Sequence, residues 1–135
     1  MGHWGVKSYE NDDAGDALDA GFARAHGPSY EDLMDDANPM TVEQVQGRLA
    51  GPETLRASLE ALAEELGRPV EDWDEVGRLA YAGIVVRHAE VGVPIPADVR
   101  SLALGFLRDE PIDWEEATAR RLRRDKEIRL LGSPA

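Results

Sequence analysis

Apolar positions along this chain recur at intervals of three and four, the spacing of one helical face, and no segment alternates apolar with polar. Ala14, Ala17, Leu18, Gly21, Phe22 and Ala25 predict a first helix from about Asp12 to His26, with Asn11 as N-cap and Gly27-Pro28 as its end. Ser29 is expected to cap a short turn holding Tyr30, Leu33 and Met34, which Asn38-Pro39 breaks. Thr41 with Gln44 forms a capping-box pattern before a short amphipathic helix of Val42, Val45 and Leu49. Gly51-Pro52 opens a longer helix with Leu55, Leu59, Leu62 and Leu66 on one stripe, and Gly67 stops it. Val70 and Trp73 lead into Leu79 to Val86, apolar all round apart from the Tyr81 hydroxyl. That segment reads as the central, most buried helix, ending near Gly92. Beyond the rigid Pro94–Pro96 link, Val99, Leu102, Ala103, Phe106 and Leu107 predict another helix. Asp113 with Glu116 resembles a capping box for a last helix from about Trp114 to Leu131.

The expected fold is therefore all-α, a single-domain bundle of five to seven helices with no sheet. Residues 1–50 form an acidic N-terminal part, 51–131 two helix pairs, and 132–135 a frayed tail. A weak internal repeat supports the pairing. Pro52, Leu55, Arg56 and Leu62 fall on Pro96, Val99, Arg100 and Phe106, and PVEDWDEV (Pro69–Val76) is echoed by PIDWEEA (Pro111–Ala117). This spacing suits two tandem two-helix units, although proline-started helices look alike in any α-bundle.

Composition narrows the function classes. A chain of 135 residues with 42% apolar content can bury a real core. No apolar run approaches the ~20 residues of a membrane span, and no basic-then-apolar leader opens the chain. The absence of cysteine excludes disulfides, thiolate metal sites and thiol nucleophiles. These features suggest a cytoplasmic protein. The net charge of −12 is uneven: residues 1–66 hold fourteen acids against four bases, whereas residues 113–135 hold five against six. Such a first half repels nucleic acid and anionic membrane, and attracts a basic partner or a cation. The run RRLRRDK (Arg120–Lys126) reads as a charged outer face with Glu116–Arg120 and Arg123–Glu127 pairs. Its natural partner would be the acidic half of another copy.

Candidate chemistry gathers at the start, MGHWGVKSYENDDAGDALD (Met1–Asp19). Met1, Gly2, Trp4, Gly5, Tyr9, Asn11, Asp12, Ala14 and Asp16 form a motif that resembles a family of small bacterial proteins of unassigned function. Members open with Met-Gly-x-Trp-Gly, then an aromatic residue (usually phenylalanine, here Tyr9), then Asn-Asp-x-Ala-x-Asp. The resemblance is confined to this opening and implies no chemistry. Read from its residues, the segment is a structural clasp or binding element of Gly2, Trp4, Gly5, Tyr9, Asn11, Asp12 and Asp16. The glycines let the backbone bend beside Trp4, and a donor near residues 2–5 is expected to meet Asp12 or Asp16. The alternative is a divalent-metal site on Asp12, Asp16 and Asp19, one helix face at i, i+4 and i+7, serving a small hydrolase. An EF-hand is excluded, because Ala14 and Gly21 fall at ligand places. His3, His26 and His88 are scattered, and His88 reads as a helix C-terminal dipole partner or rim residue. No phosphate loop, dinucleotide fingerprint or nucleophile elbow occurs, and no cofactor is expected. The sequence favours a non-catalytic acidic helical protein that binds a basic protein or another copy of itself.

Overall fold

The computed structural model describes residues 5–35, 37–112 and 117–132. They form an all-α single domain: α1 (Asp12–His26), α2 (Pro28–Leu33), α3 (Val42–Leu49), α4 (Pro52–Leu66), α5 (Glu75–Glu90), α6 (Ala97–Arg108) and α7 (Ala117–Gly132). A single 3-10 turn, Val70–Asp72, precedes α5, and there is no β-strand among the described residues. No helix in them is long and apolar enough to cross a membrane.

The helix boundaries follow local chemistry. The Asn11 side chain accepts the Ala14 N–H at 2.9 Å and starts α1. Gly27 ends it at φ 54, a conformation that favours glycine. The next helix starts at Pro28, with the fixed proline φ at its first position, so Ser29 lies inside α2 instead of capping it. Both halves of the capping box before α3 are present: Gln44 N–H donates to Thr41 Oγ1 at 3.2 Å, and Thr41 N–H to Gln44 Oε1 at 2.8 Å. Gly67 closes α4 in the left-handed region at φ 66. Asp74 caps α5 by accepting the Gly77 N–H.

Helix α5 is the hub. Residues 79–86 are buried on every side, as an all-round apolar stretch requires. It touches α1, α4, α6 and α7. The most extensive interface joins α1 to α4, so the acidic first part is built into the same core as the later helices. Gly21 makes that approach close, since a Cβ there would collide with Ser58. Phe22, Leu62, Ile84, Val85, Val86 and Leu107 fill the centre. A T-shaped Tyr81–Phe106 pair, 5.6 Å between centroids, joins α5 to α6. Trp73 is buried before α5 and donates its indole N–H to the Arg68 carbonyl at 2.9 Å.

Three expectations change. His88 is fully buried beside Phe22 rather than at the rim. Its Nδ1 lies 2.8 Å from the Ile84 carbonyl, which only accepts, so Nδ1 carries the proton and Nε2 meets Thr54 Oγ1 at 2.9 Å. Burial, and after it the Arg87 charge, hold its pKa below the usual histidine value against the pull of the Ile84 bond. Second, the basic run is not simply an outer face: Arg120 is 1% exposed. Third, Val42 and Leu102, placed on apolar stripes, stand exposed.

Candidate functional site

Residues 5–10 run as a strap across α5 before α1 begins. The strap crosses at Gly83, where a Cβ would collide with the Ser8 backbone. Only hydrogen there lets the two backbones approach so closely. Asn11 fixes the strap to α1, its Nδ2 donating to the Ser8 carbonyl at 2.7 Å.

The other anchor is α7. Ser8 is fully buried, and its N–H and Oγ both donate to Glu127 Oε2, at 2.9 and 2.8 Å. The other oxygen of Glu127 accepts from Arg120 Nη1 at 2.9 Å. The same Nη1 donates to the Val6 carbonyl at 2.8 Å, while Nη2 meets Glu110 Oε1 at 2.7 Å. Glu127 is itself 1% exposed. Burial alone would lower the Arg120 pKa, but Glu110 and Glu127 more than offset it and hold the guanidinium charged. Arg123 extends the network from Glu127 at 3.2 Å to Glu90 at 2.6 Å.

Beside the strap, a groove of about 620 Å³ opens between residues 7–10, α1, α3 and α5. Tyr9, Leu18 and Val42 supply apolar surface, and Val42 is 46% exposed. Four carboxylates line it, Glu10, Asp19, Glu43 and Glu90, against two cations, Lys7 and Arg87. Both cations are engaged. Lys7 lies over the Tyr9 ring at 5.7 Å, and Arg87 lies 5.8 Å from that ring while donating to the Glu43 carbonyl at 2.7 Å. Arg123 approaches the same ring at 6.0 Å. Burial, and after it Glu90, push the Tyr9 phenol up to about 12, so it stays a neutral donor to Glu90 Oε2 at 3.3 Å. Tyr30 donates to Asp19 at 2.7 Å, and burial followed by that bond pushes its phenol up to about 12 as well. The groove thus offers the Tyr9 ring and Val42 inside a rim where carboxylates outnumber cations.

Among the sequence candidates, Tyr9 and Asp19 line this groove, and Asn11 acts as cap and tie. A Cβ on Gly5 would press on the Glu10 carboxylate. Asp12 and Asp16 are exposed on α1, while Asp19 turns to Tyr30. Among the described residues no three carboxylates or imidazoles gather where one ion could be held. Gly2 and Trp4 lie outside the described residues, as do His3, the Asp113–Glu116 cap, the Glu116 end of its pair with Arg120, and residues 133–135. The tie that is described runs from Ser8 and Val6 to α7, a partner the clasp reading did not name.

Ser8, Arg87, Glu90, Glu110 and the Arg120–Glu127 pairing were missed. One signal was available. Residues 120, 124, 127 and 131 share one helical stripe and read Arg, Arg, Glu, Leu. A helix with so little apolar surface on its packed side must dock through paired charges. The chain matches no protein-family model, no curated protein and no solved structure.

Proposed function

We propose that this chain is a non-catalytic protein-binding module whose groove receives a basic segment of another protein. The observation that carries the reading is the groove itself. Its floor is Tyr9, Leu18 and Val42, and its rim holds Glu43, Asp19, Glu10 and Glu90. Apolar surface supplies affinity, while a rim in which four carboxylates outnumber Lys7 and Arg87 supplies steering and selection among partners. The guest that matches is a segment with aliphatic side chains flanked by lysine or arginine. The net charge of −12 supports the same partner and disfavours nucleic acid and anionic membrane. In this reading the successive helix pairs α4–α5 and α6–α7 are tandem units serving as scaffold. The absence of cysteine suits a cytoplasmic setting.

The test is a two-dimensional amide NMR titration with a synthetic helical peptide of alternating leucine and lysine pairs. Saturable shifts are expected at Leu18, Val42 and Gln46. Glu43→Lys should weaken them several-fold, and so should added salt, because rim charges are screened. Shifts spread over α6 instead, or binding indifferent to Glu43→Lys, would refute the reading.

A further inference from the structure

We infer that a second copy of this chain is a partner for the groove: the outward face of α7 on one molecule docks between the strap, α1 and α3 of the next. This rests on the groove's reading as a receptor for a basic segment. Helix α7 leaves an apolar row uncovered. Its inward side holds the ion-paired Arg120 and Glu127, each 1% exposed. Leu131 and Ile128 pack inward beside them, while Leu122 is 63% exposed and Leu130 38% on the outward side. Lys126 stands exposed between them, so Leu122, Lys126 and Leu130 form one row at i, i+4 and i+8, with Arg121 exposed at its flank. An amphipathic helix normally buries such a row. Here the row faces solvent, while Leu131, Ile128 and the salt bridges of Arg120 and Glu127 attach α7 to the bundle.

The two surfaces match in kind. The row offers leucine, a cation, then leucine; the groove offers Val42 and the Tyr9 ring inside a rim headed by Glu43 and Asp19. The charge also runs the right way, since the first half of the chain is strongly acidic and its last segment is not. Because groove and row are different patches of one molecule, the contact is heterologous and joins molecules head to tail. One helical row buries less than the roughly 1,200 Å² of a standard stable interface, so the association is transient and sensitive to salt.

Sedimentation velocity of the full chain over a concentration series tests this. At low salt the mass-average should rise above the 14.8 kDa of one chain and return to it when salt is added. Leu122→Gln and Glu43→Lys change exposed side chains, and circular dichroism checks that each variant is folded. Each alone should lose the association. Mixed, they should form dimers and nothing larger, because Glu43→Lys keeps an intact α7 row and Leu122→Gln an intact groove. Leu102→Gln, an exposed leucine on α6, should associate like the parent. A parent that stays monomeric throughout overturns the inference; if the leucine–lysine peptide still binds, the groove's own reading stands. Association that survives either single variant, or that Leu102→Gln abolishes equally, also overturns it.

Discussion

At the scale of single residues, the carboxylate of Glu127 ties the strap to α7. It accepts from the Ser8 N–H, the Ser8 hydroxyl, Arg120 and Arg123. Two of its four bonds reach the strap, more than a hundred residues away in sequence. A buried ion pair is not in itself strong support for a fold, because desolvation offsets much of the attraction. Removing one partner is another matter, since it strands the other charge without water. Glu127→Ala should therefore destabilise the protein by about 3–5 kcal/mol, read from the midpoint of urea unfolding. Glu127→Gln keeps one acceptor for Ser8 and should cost less. Replacing Arg120 and Glu127 together by leucine and methionine should recover only part of the loss, because Glu110, its side chain 6% exposed, then loses its guanidinium, and Ser8 and the Val6 carbonyl lose their partners. If Glu127→Ala unfolds at the parent's midpoint, Glu127 does not anchor the strap.

At the scale of elements, the fold places two glycines in helices for opposite reasons. Gly83 on α5 lies under the strap, where a Cβ would collide with Ser8 backbone that cannot swing aside. Gly105 on α6 has open space, with nothing within 4 Å of a Cβ. Alanine favours a helix over glycine by up to about 1 kcal/mol. Gly105→Ala should thus raise the melting temperature, while Gly83→Ala should cost about 1–3 kcal/mol through overpacking. Gly83→Ala should also speed amide exchange in residues 5–10 more than in α6. Equal gains from both substitutions would mean that the strap does not lie on Gly83. This contrast marks what the sequence discloses. Periodicity, caps and glycine stops placed α1, α3, α4 and the buried stretch of α5, because those signals are local. Gly83 read as one more small residue in an apolar run. Its reason is a tertiary contact with Ser8, and nothing within its own helix records that. His88 misled in the same way: a histidine near a helix end suits the dipole, and only its neighbours Phe22 and Thr54 turn it inward. The groove was half legible. Tyr9 and Asp19 stood out by composition, whereas Arg87 and Glu43 come to it from helices that the chain reaches much later.

At the scale of the whole molecule, the acids are gathered rather than spread, and the folded state bears the repulsion. On α1, Asp13 lies near Asp12, Asp16 and the Asp74 cap of α5, and Glu65 near the end of α4 lies near Asp13 and Asp16. Burial, and after it Asp16, Asp74 and Asp12, hold the Asp13 carboxyl above its usual value. Burial, and after it Asp13 and Asp16, do the same for Glu65. The consequence for pH has a definite sign. A carboxyl whose folded pKa lies above its unfolded value binds its proton more tightly in the native state. Stability then falls as pH rises through the carboxylate range, and the penalty is complete above the raised folded pKa. It is absent below the unfolded value. Glu65 is the cleaner place to test this, because an anion there also opposes the negative end of the α4 dipole, whereas Asp13 sits in the favourable first turn of α1. Glu65→Gln should raise stability at neutral pH by a few tenths of a kcal/mol, up to about 1. The gain should shrink as added salt shortens the screening length, and vanish in acid where the parent's Glu65 is already protonated. Thermal unfolding of parent and variant over a grid of pH and salt measures all three trends. A gain that persists unchanged in acid would show that glutamine acts through helix propensity or packing, and that the acids at this end of the bundle do not repel one another enough to matter.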